Sequence, residues 1–481
     1  MLLTSRYVVP VTAPFIEDGA ILVQGSEIKE IGKLDELRRK YPNEEVKDYG
    51  LSALMPGFVN THTHLCYTAM RGLFEDMPYV DWKRSVLHCE PLMQDEDWVN
   101  SARLGALELL SGGVTTAADI SRTQAGKIAI EESGLRGVVY HEVSTMHAER
   151  AQETVKRGLE EIAKWENEKN TDRVKFGLAA GHVYACHPKV YKEIVHQVDG
   201  ADLPVAMHIA GNQAEADFIR YGSSPFSVHA TEVSQGLDLN IPPWLPAGTT
   251  PIRYIYNWEF LDLKNVLLIH AIHVDEEDIA VLQRKKDNVS IAFCPRINAK
   301  LGMGLAPIEE YINRGITVGL GSDSPAAIDT VDIIGEMRTG LLLLRAFGGK
   351  GKNYMKSEKM LRMATIDAAK ALHMDDEIGS LEAGKKADII AVDLHNSHQN
   401  PTSDPAASVI HTANQDNVKM TMIDGKILYE NFVHKSGLDR DGIVGTAHIL
   451  RKRLRKEMND DELIQSIIKK RVQDIAERYK R

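Results

Sequence analysis

The chain has 481 residues, with 57 Lys and Arg against 68 Asp and Glu, for a formal net charge of −11. A hydrophobic share of 43% and a charged share of 26% describe a globular chain with ample material for a core. The negative balance argues against a nucleic-acid partner. No apolar run approaches the roughly 20 residues that span a bilayer, so no membrane partner is expected.

Four scattered cysteines make no disulfide framework. The opening Met1-Leu2-Leu3-Thr4-Ser5-Arg6 lacks a basic start followed by an apolar stretch, so no secretory leader is expected. The expected location is the reducing cytoplasm.

Residues 1–56 read as short strands and turns. Ala20-Ile21-Leu22-Val23 and Glu27-Ile28-Lys29-Glu30-Ile31 flank Gln24-Gly25-Ser26, a hairpin signal, and 35–40 reads as a short helix. From 57 to 375, short apolar strands alternate with longer amphipathic stretches such as 97–111, 151–166 and 275–285. Strand candidates begin at Gly57, Val114, Gly137, Val174, Val205, Val266, Val289 and Ile316. Eight strands alternating with helices predict a closed (β/α)8 barrel, although the alternation also admits a doubly wound open sheet.

Residues 376–436 return to strands, one at 387–393 and a hairpin in which Asp424-Gly425 joins 419–423 to 426–429. Their likeness in character to 1–56 predicts a composite β-sandwich domain built from both termini. Residues 437–481 read as a charged helical extension, with Arg451-Lys452-Arg453-Leu454-Arg455-Lys456 on a solvated face. The stretch 221–258, rich in proline and aromatic residues, reads as a lid over the mouth of the barrel.

His62-Thr63-His64 closes the first barrel strand, and residues i and i+2 of a strand point to one side. His208 ends the fifth strand, His270 the sixth and Asp323 the eighth, where barrel enzymes keep their chemistry. Three histidines and a carboxylate at one point suit one divalent ion, zinc ahead of iron. Such an ion lowers the pKa of its bound water to around 7, which points to hydrolysis of a small-molecule substrate. Asp323 can bind the metal and accept the water's proton, and His270 can hold the hydroxide or polarise the leaving side. These two are the catalytic candidates.

Met55-Pro56-Gly57-Phe58-Val59-Asn60-Thr61-His62-Thr63-His64 resembles the opening motif of the amidohydrolase superfamily. Ser111-Gly112-Gly113-Val114-Thr115-Thr116, His270-Ala271-Ile272-His273, Gly321-Ser322-Asp323-Ser324 and Gly379-Ser380-Leu381-Glu382-Ala383-Gly384 continue the resemblance. It runs from about residue 15 to about 432. It is closest to the branch of 5′-methylthioadenosine/S-adenosylhomocysteine deaminases, aminofutalosine deaminases and triazine hydrolases.

The resemblance implies a distorted (β/α)8 TIM barrel with a composite β-sandwich. It implies a metal held by His62, His64, His208 and Asp323, His270 on the water or the substrate, and His182 and Glu90 as substrate-binding residues. It also implies a homodimer or larger assembly, and deamination of a heterocyclic amine of the adenosine type, whether nucleoside or thioether.

One position departs from the pattern. The deaminases of this branch carry a proton-shuttling Glu three residues after the strand-five histidine, and here Gly211 stands there. Glu215, one turn further on, reads as a surface helix residue. The alternative reaction is therefore hydrolysis of an amide, urea, carbamate or carbon–halogen bond, which needs no ring protonation.

Overall fold

The chain begins in a sheet that it completes only near its other end. In the computed structural model, which describes residues 1–222, 224–226, 247–348 and 354–459, β1 (Leu2–Val8) pairs antiparallel with β2 (Ile16–Gln24), and β2 with β3 (Glu27–Lys33). Strands β4 (Val46–Asp48) and β5 (Ser52–Pro56) lie parallel to β1.

The barrel follows as β6 (Phe58–Thr63), β7 (Val114–Ser121), β8 (Arg136–Val143), β9 (Val174–Ala180), β10 (Val205–Ile209), β11 (Val266–His270), β12 (Val289–Phe293) and β13 (Thr317–Leu320). Each strand pairs in parallel with the next, so the open-sheet alternative does not hold. All eight expected strands are present, with β6 to β9 running further than expected. Every residue of β10, β11 and β12 is buried, as parallel strands covered on both faces require.

The ring closes between its first and last strands. A bridge joins Thr63 to Asp323, and the His62 carbonyl accepts the N–H groups of Ser322 (3.0 Å) and Asp323 (2.9 Å). Asn60 reinforces the seam, its amide donating to Ser322 Oγ (2.7 Å) and its Oδ1 accepting the Ser322 N–H (3.0 Å).

The first sheet then resumes with β14 (Ile389–Asp393), β15 (Val418–Ile423), β16 (Lys426–Glu430) and β17 (Val433–His434), β14 lying against β5. Ile423 faces Lys426 across the expected Asp424-Gly425 turn, and both turn residues have positive φ, as such a two-residue hairpin demands. Leu3, Ile21, Ile28, Ile389 and Met420 share one apolar cluster, so the two halves of the sheet pack on each other.

A buried ion pair ties this sheet to the barrel. Arg136, opening β8, donates to Asp388 (2.9 Å) and to Asp424 (2.6 Å).

The helix Arg440–Asn459 lies on the helix Asp95–Ser111 and on the 3-10 turn Leu65–Met70, burying Leu450, Leu454 and Met458. The basic run on it is not all solvated. Arg451 donates to the Gly72 carbonyl (2.8 Å), and Arg453 reaches the Leu92 carbonyl (3.2 Å) and Asp97. Most of the expected lid, 227–246, lies outside the described residues, as does the chain after 459. Among the described residues no helix is long and apolar enough to cross a membrane.

Candidate active site

The strand-end histidines meet. His208 Nε2 lies 3.1 Å from His62 Nε2 and 3.3 Å from His64 Nε2. Asp323 Oδ2 lies 3.3 Å from His270 Nε2 and 3.6 Å from His62 Nε2. Two overlapping groups result, His62–His64–His208 and His208–His270–Asp323, each compact enough to grip one ion.

The protonation of these groups suits a cation. Burial pushes His62 and His208 well below the ordinary histidine value, His64 down to about 4 and His270 down to about 3. All four rings are therefore neutral near pH 7 and offer lone pairs. His64 Nδ1–H donates to the Ile120 carbonyl (3.0 Å), which aims the Nε2 lone pair at the cluster. One N–H on His208 cannot serve both facing nitrogens, whereas a divalent ion satisfies all three. The donor set of imidazoles and one carboxylate fits zinc or a neighbouring transition metal. Burial also raises the Asp323 carboxyl, to about 7, against the opposing pull of the Ser324 N–H and Lys83.

The backbone is strained where these side chains emerge. His270 (φ 77°), Ala271 (φ 44°) and Asp323 (φ 63°) are left-handed without being glycine. Neighbouring strands hold them there. The Ala271 N–H donates to the Ile209 carbonyl (3.0 Å), and those of Ile272 and His273 to the Ala210 carbonyl (both 2.9 Å).

The two expected substrate residues both border the cluster. The His182 ring lies 4.5 Å from that of His208 and stacks on Tyr184 at 4.9 Å. Glu90 lies on the far side, past His64. It accepts the Tyr67 hydroxyl (2.6 Å) and pairs with Arg122 (3.3 Å), and both Glu90 and His64 line one small pocket. Arg122 also binds Glu142 at 2.8 Å. Burial alone would raise the Glu142 carboxyl, but Arg122, His182 and Lys83 outweigh it and hold the group down to about 2.

Tyr67, Arg122 and Glu142 escaped the sequence reading. Arg122 and Glu142 carried the same signal as His208, a polar residue at the C-terminal end of a barrel strand. Asp119 was also missed. Fully buried in β7, it accepts the Leu65 N–H (2.7 Å) and so anchors the turn after His64.

Glu215 is not the surface residue expected. It is 2% exposed, and its two carboxylate oxygens accept the N–H groups of Ala210 and Gly211, both at 2.9 Å. Burial pushes it up to about 7. With both oxygens engaged by the backbone, Glu215 shapes the loop after His208 and is not a free proton carrier.

The comparisons agree with this architecture. The model of the amidohydrolase family matches residues 53–428. A 5-methylthioadenosine/S-adenosylhomocysteine deaminase of Symbiobacterium thermophilum is 30% identical over 430 residues, 88% of this chain and 92% of its own. A 5′-deoxyadenosine deaminase of Methanobrevibacter smithii is 31% identical over 419 residues, 86% of this chain and 88% of its own. The crystal structure of an adenosine deaminase from Xanthomonas campestris with bound zinc superposes with a TM-score of 0.80 at 22% identity, covering 95% of this chain and 98% of its own. With the barrel, the strand-end histidines and aspartate, and the family match in agreement, the chain belongs to the amidohydrolase family and is a hydrolase of carbon–nitrogen bonds.

Proposed function

We propose that this chain deaminates an adenosine-type nucleoside or thioether, using one divalent metal ion, zinc ahead of iron, held by His62, His64, His208 and Asp323. The observation that carries the proposal is the convergence of those four side chains with His270 at one end of the barrel. Relatives named as deaminases of such substrates, matching most of the chain, support the substrate class. A divalent ion held there would bring the pKa of its bound water to about 7 and so supply the nucleophile.

The remaining work falls to this chain's side chains. Asp323 Oδ2 takes a proton from the attacking water and returns it to the departing nitrogen. His270 Nε2, 3.3 Å from Asp323 Oδ2, holds that carboxylate and the water in line. His182 packs against the heterocycle, and Glu90 accepts a hydroxyl of the substrate's remainder. The four cysteines of the sequence are free and buried, which suits a reducing compartment, and we take the enzyme to be cytoplasmic.

Gly211 favours a second reading. No side chain at that position can protonate a ring nitrogen, and general acid–base help is typically worth about 10²–10⁴-fold. Hydrolysis of an amide, urea, carbamate or carbon–halogen bond avoids that need.

The deciding experiment measures ammonia release from adenosine, 5′-methylthioadenosine and S-adenosylhomocysteine, with bound metal counted on the same sample. Rapid release that disappears in H64A and D323A is expected. No release from protein carrying one metal per chain overturns the deaminase reading in favour of the second.

A further inference from the structure

The helix Tyr79–Cys89 crosses the mouth of the barrel, and the mechanism above does not use it. At 100° per residue, Tyr79, Lys83 and Glu90 fall within about 40° of one another on its surface. Both ends of this stripe are anchored, on opposite sides of the histidine cluster. The Tyr79 hydroxyl hydrogen-bonds to that of Tyr184 (3.2 Å), whose ring stacks on His182 beside His208. Glu90 accepts the hydroxyl of Tyr67, whose ring lies 5.6 Å from that of His64. The adjacent stripe, about 75° round the helix, is buried in the core through Trp82, Val86 and Cys89. The Trp82 indole N–H donates to the Ala326 carbonyl (3.2 Å), three residues after Asp323, so the helix cannot roll. Lys83 is therefore carried over the cluster, between its His208 side and its His64 side.

Lys83 has no hydrogen bond or ion pair among the described residues. The carboxylates nearest to it are already engaged, Glu90 by Tyr67 and Arg122, and Glu142 by Arg122. After burial itself, the Lys83 charge is the next largest influence lowering the basicity of His64 and of His182, and it draws Asp323 downward. A half-buried ammonium has left part of its hydration behind, and among the described residues Glu90, Glu142 and Asp323 attract it only from a distance, without a direct contact. Its partner must arrive with the substrate.

We propose that Lys83 is a specificity-determining residue of the substrate pocket, pairing its ammonium with a carboxylate or phosphate on the amine-bearing substrate. This deepens the deaminase reading and rests on it for the amine.

The test compares three ligands on the metal-loaded wild type, K83M and K83R. Adenosine 5′-monophosphate carries a phosphate, S-adenosylhomocysteine carries a carboxylate, and 5′-methylthioadenosine carries no anion. Affinities come from isothermal titration and turnover from ammonia release. In the wild type, one of the two charged ligands is expected to bind at least about tenfold more tightly than 5′-methylthioadenosine, and which one identifies the anion. K83M is expected to erase that preference, raising Kd and KM for the charged ligand about tenfold or more while kcat and the affinity for 5′-methylthioadenosine stay within about twofold. K83R keeps most of the preference.

Equal wild-type affinity for charged and neutral ligands overturns the proposal, as does a K83M that weakens all three alike. If no ligand releases ammonia but the preference and its loss in K83M persist, the deaminase reading fails and the assignment of Lys83 stands.

Discussion

The Cβ that Gly211 lacks would stand 3.0 Å from Cδ2 of His270 and 3.4 Å from Cε of Met303. The imidazole of His270 occupies the room that a side chain at 211 would need. Its strained φ of 77° leaves little freedom to withdraw. Restoring a glutamate is therefore expected to harm the enzyme. G211E should lower kcat/KM about tenfold or more and destabilise the fold by about 1–3 kcal/mol, the ordinary range for overpacking. Steady-state rates with the native substrate and denaturant melts of both proteins check this. A large gain in rate would mean that the site is a deaminase that has lost its acid.

Metal content should follow the four assigned ligands. Wild-type protein is expected to carry about one divalent ion per chain, as a single-ion site of this kind does. H64A and D323A should carry far less and lose activity by at least about a hundredfold. Elemental analysis and rates on one preparation give both numbers. Chelation should abolish wild-type activity, and added zinc should restore it. Full metal occupancy in D323A would remove that residue from the ligand set.

Asp119 predicts a pH dependence of stability. Its Oδ1 accepts the Leu65 N–H, Oδ2 has no partner, and burial raises the carboxyl from an ordinary 3.8 to about 7. The folded state thus keeps a proton that the unfolded chain releases. Stability is greatest below the unfolded value, falls as pH rises through the interval, and is lowest above the folded value. D119N keeps an acceptor for Leu65 and removes the charge. Metal-free D119N should match wild type near pH 4 and exceed it at pH 8 by on the order of 1–3 kcal/mol. An equal gap in Tm at both pH values would contradict the assignment.

Arg136 is a point of mechanical union between barrel and sheet. It is buried, and its pairing with Asp388 and Asp424 spans residues 252 and 288 positions away in sequence. R136M leaves Asp388 without its cation and Asp424 with Arg173 alone (3.3 Å), and should cost about 3–5 kcal/mol of stability. Because Arg136 opens β8 at the end away from the histidines, kcat of the folded R136M protein should stay within about twofold. Chemical denaturation and rates at low temperature separate the two effects.

The convergence of His62, His64, His208, His270 and Asp323 was legible because each follows or ends an apolar strand, and a parallel barrel turns that local fact into a common destination. His208, His270 and Asp323 needed no long-range knowledge beyond the strand count. Lys83 did. Its place depends on contacts that fix its helix to Tyr184 and Tyr67, 105 and 23 positions from their respective partners Tyr79 and Glu90. Glu215 was misread because helical spacing does not reveal that the backbone of the preceding loop turns back onto its carboxylate. Arg451 and Arg453 were misread for a similar reason, since the carbonyls they cover belong to a distant loop. The order of the composite sheet was beyond local pattern, because β5 and β14 meet across more than 300 residues of intervening barrel.

Arg451 grips the Gly72 carbonyl across 379 positions, and its helix presses on the turn that leaves His64. On the ribosome, His62, His64, His208 and Asp323 have all emerged well before that helix exists, and β14 and β15 follow the barrel as well. Chains fold from the N-terminus as they appear, so the nascent barrel waits, open on this side, until the helix Arg440–Asn459 docks. The side of the barrel next to His64 is thus completed only when the C-terminal helix is in place. A nonsense mutation before residue 440 would leave a barrel with His62, His64, His208 and Asp323 all present and no clamp on the turn that follows His64.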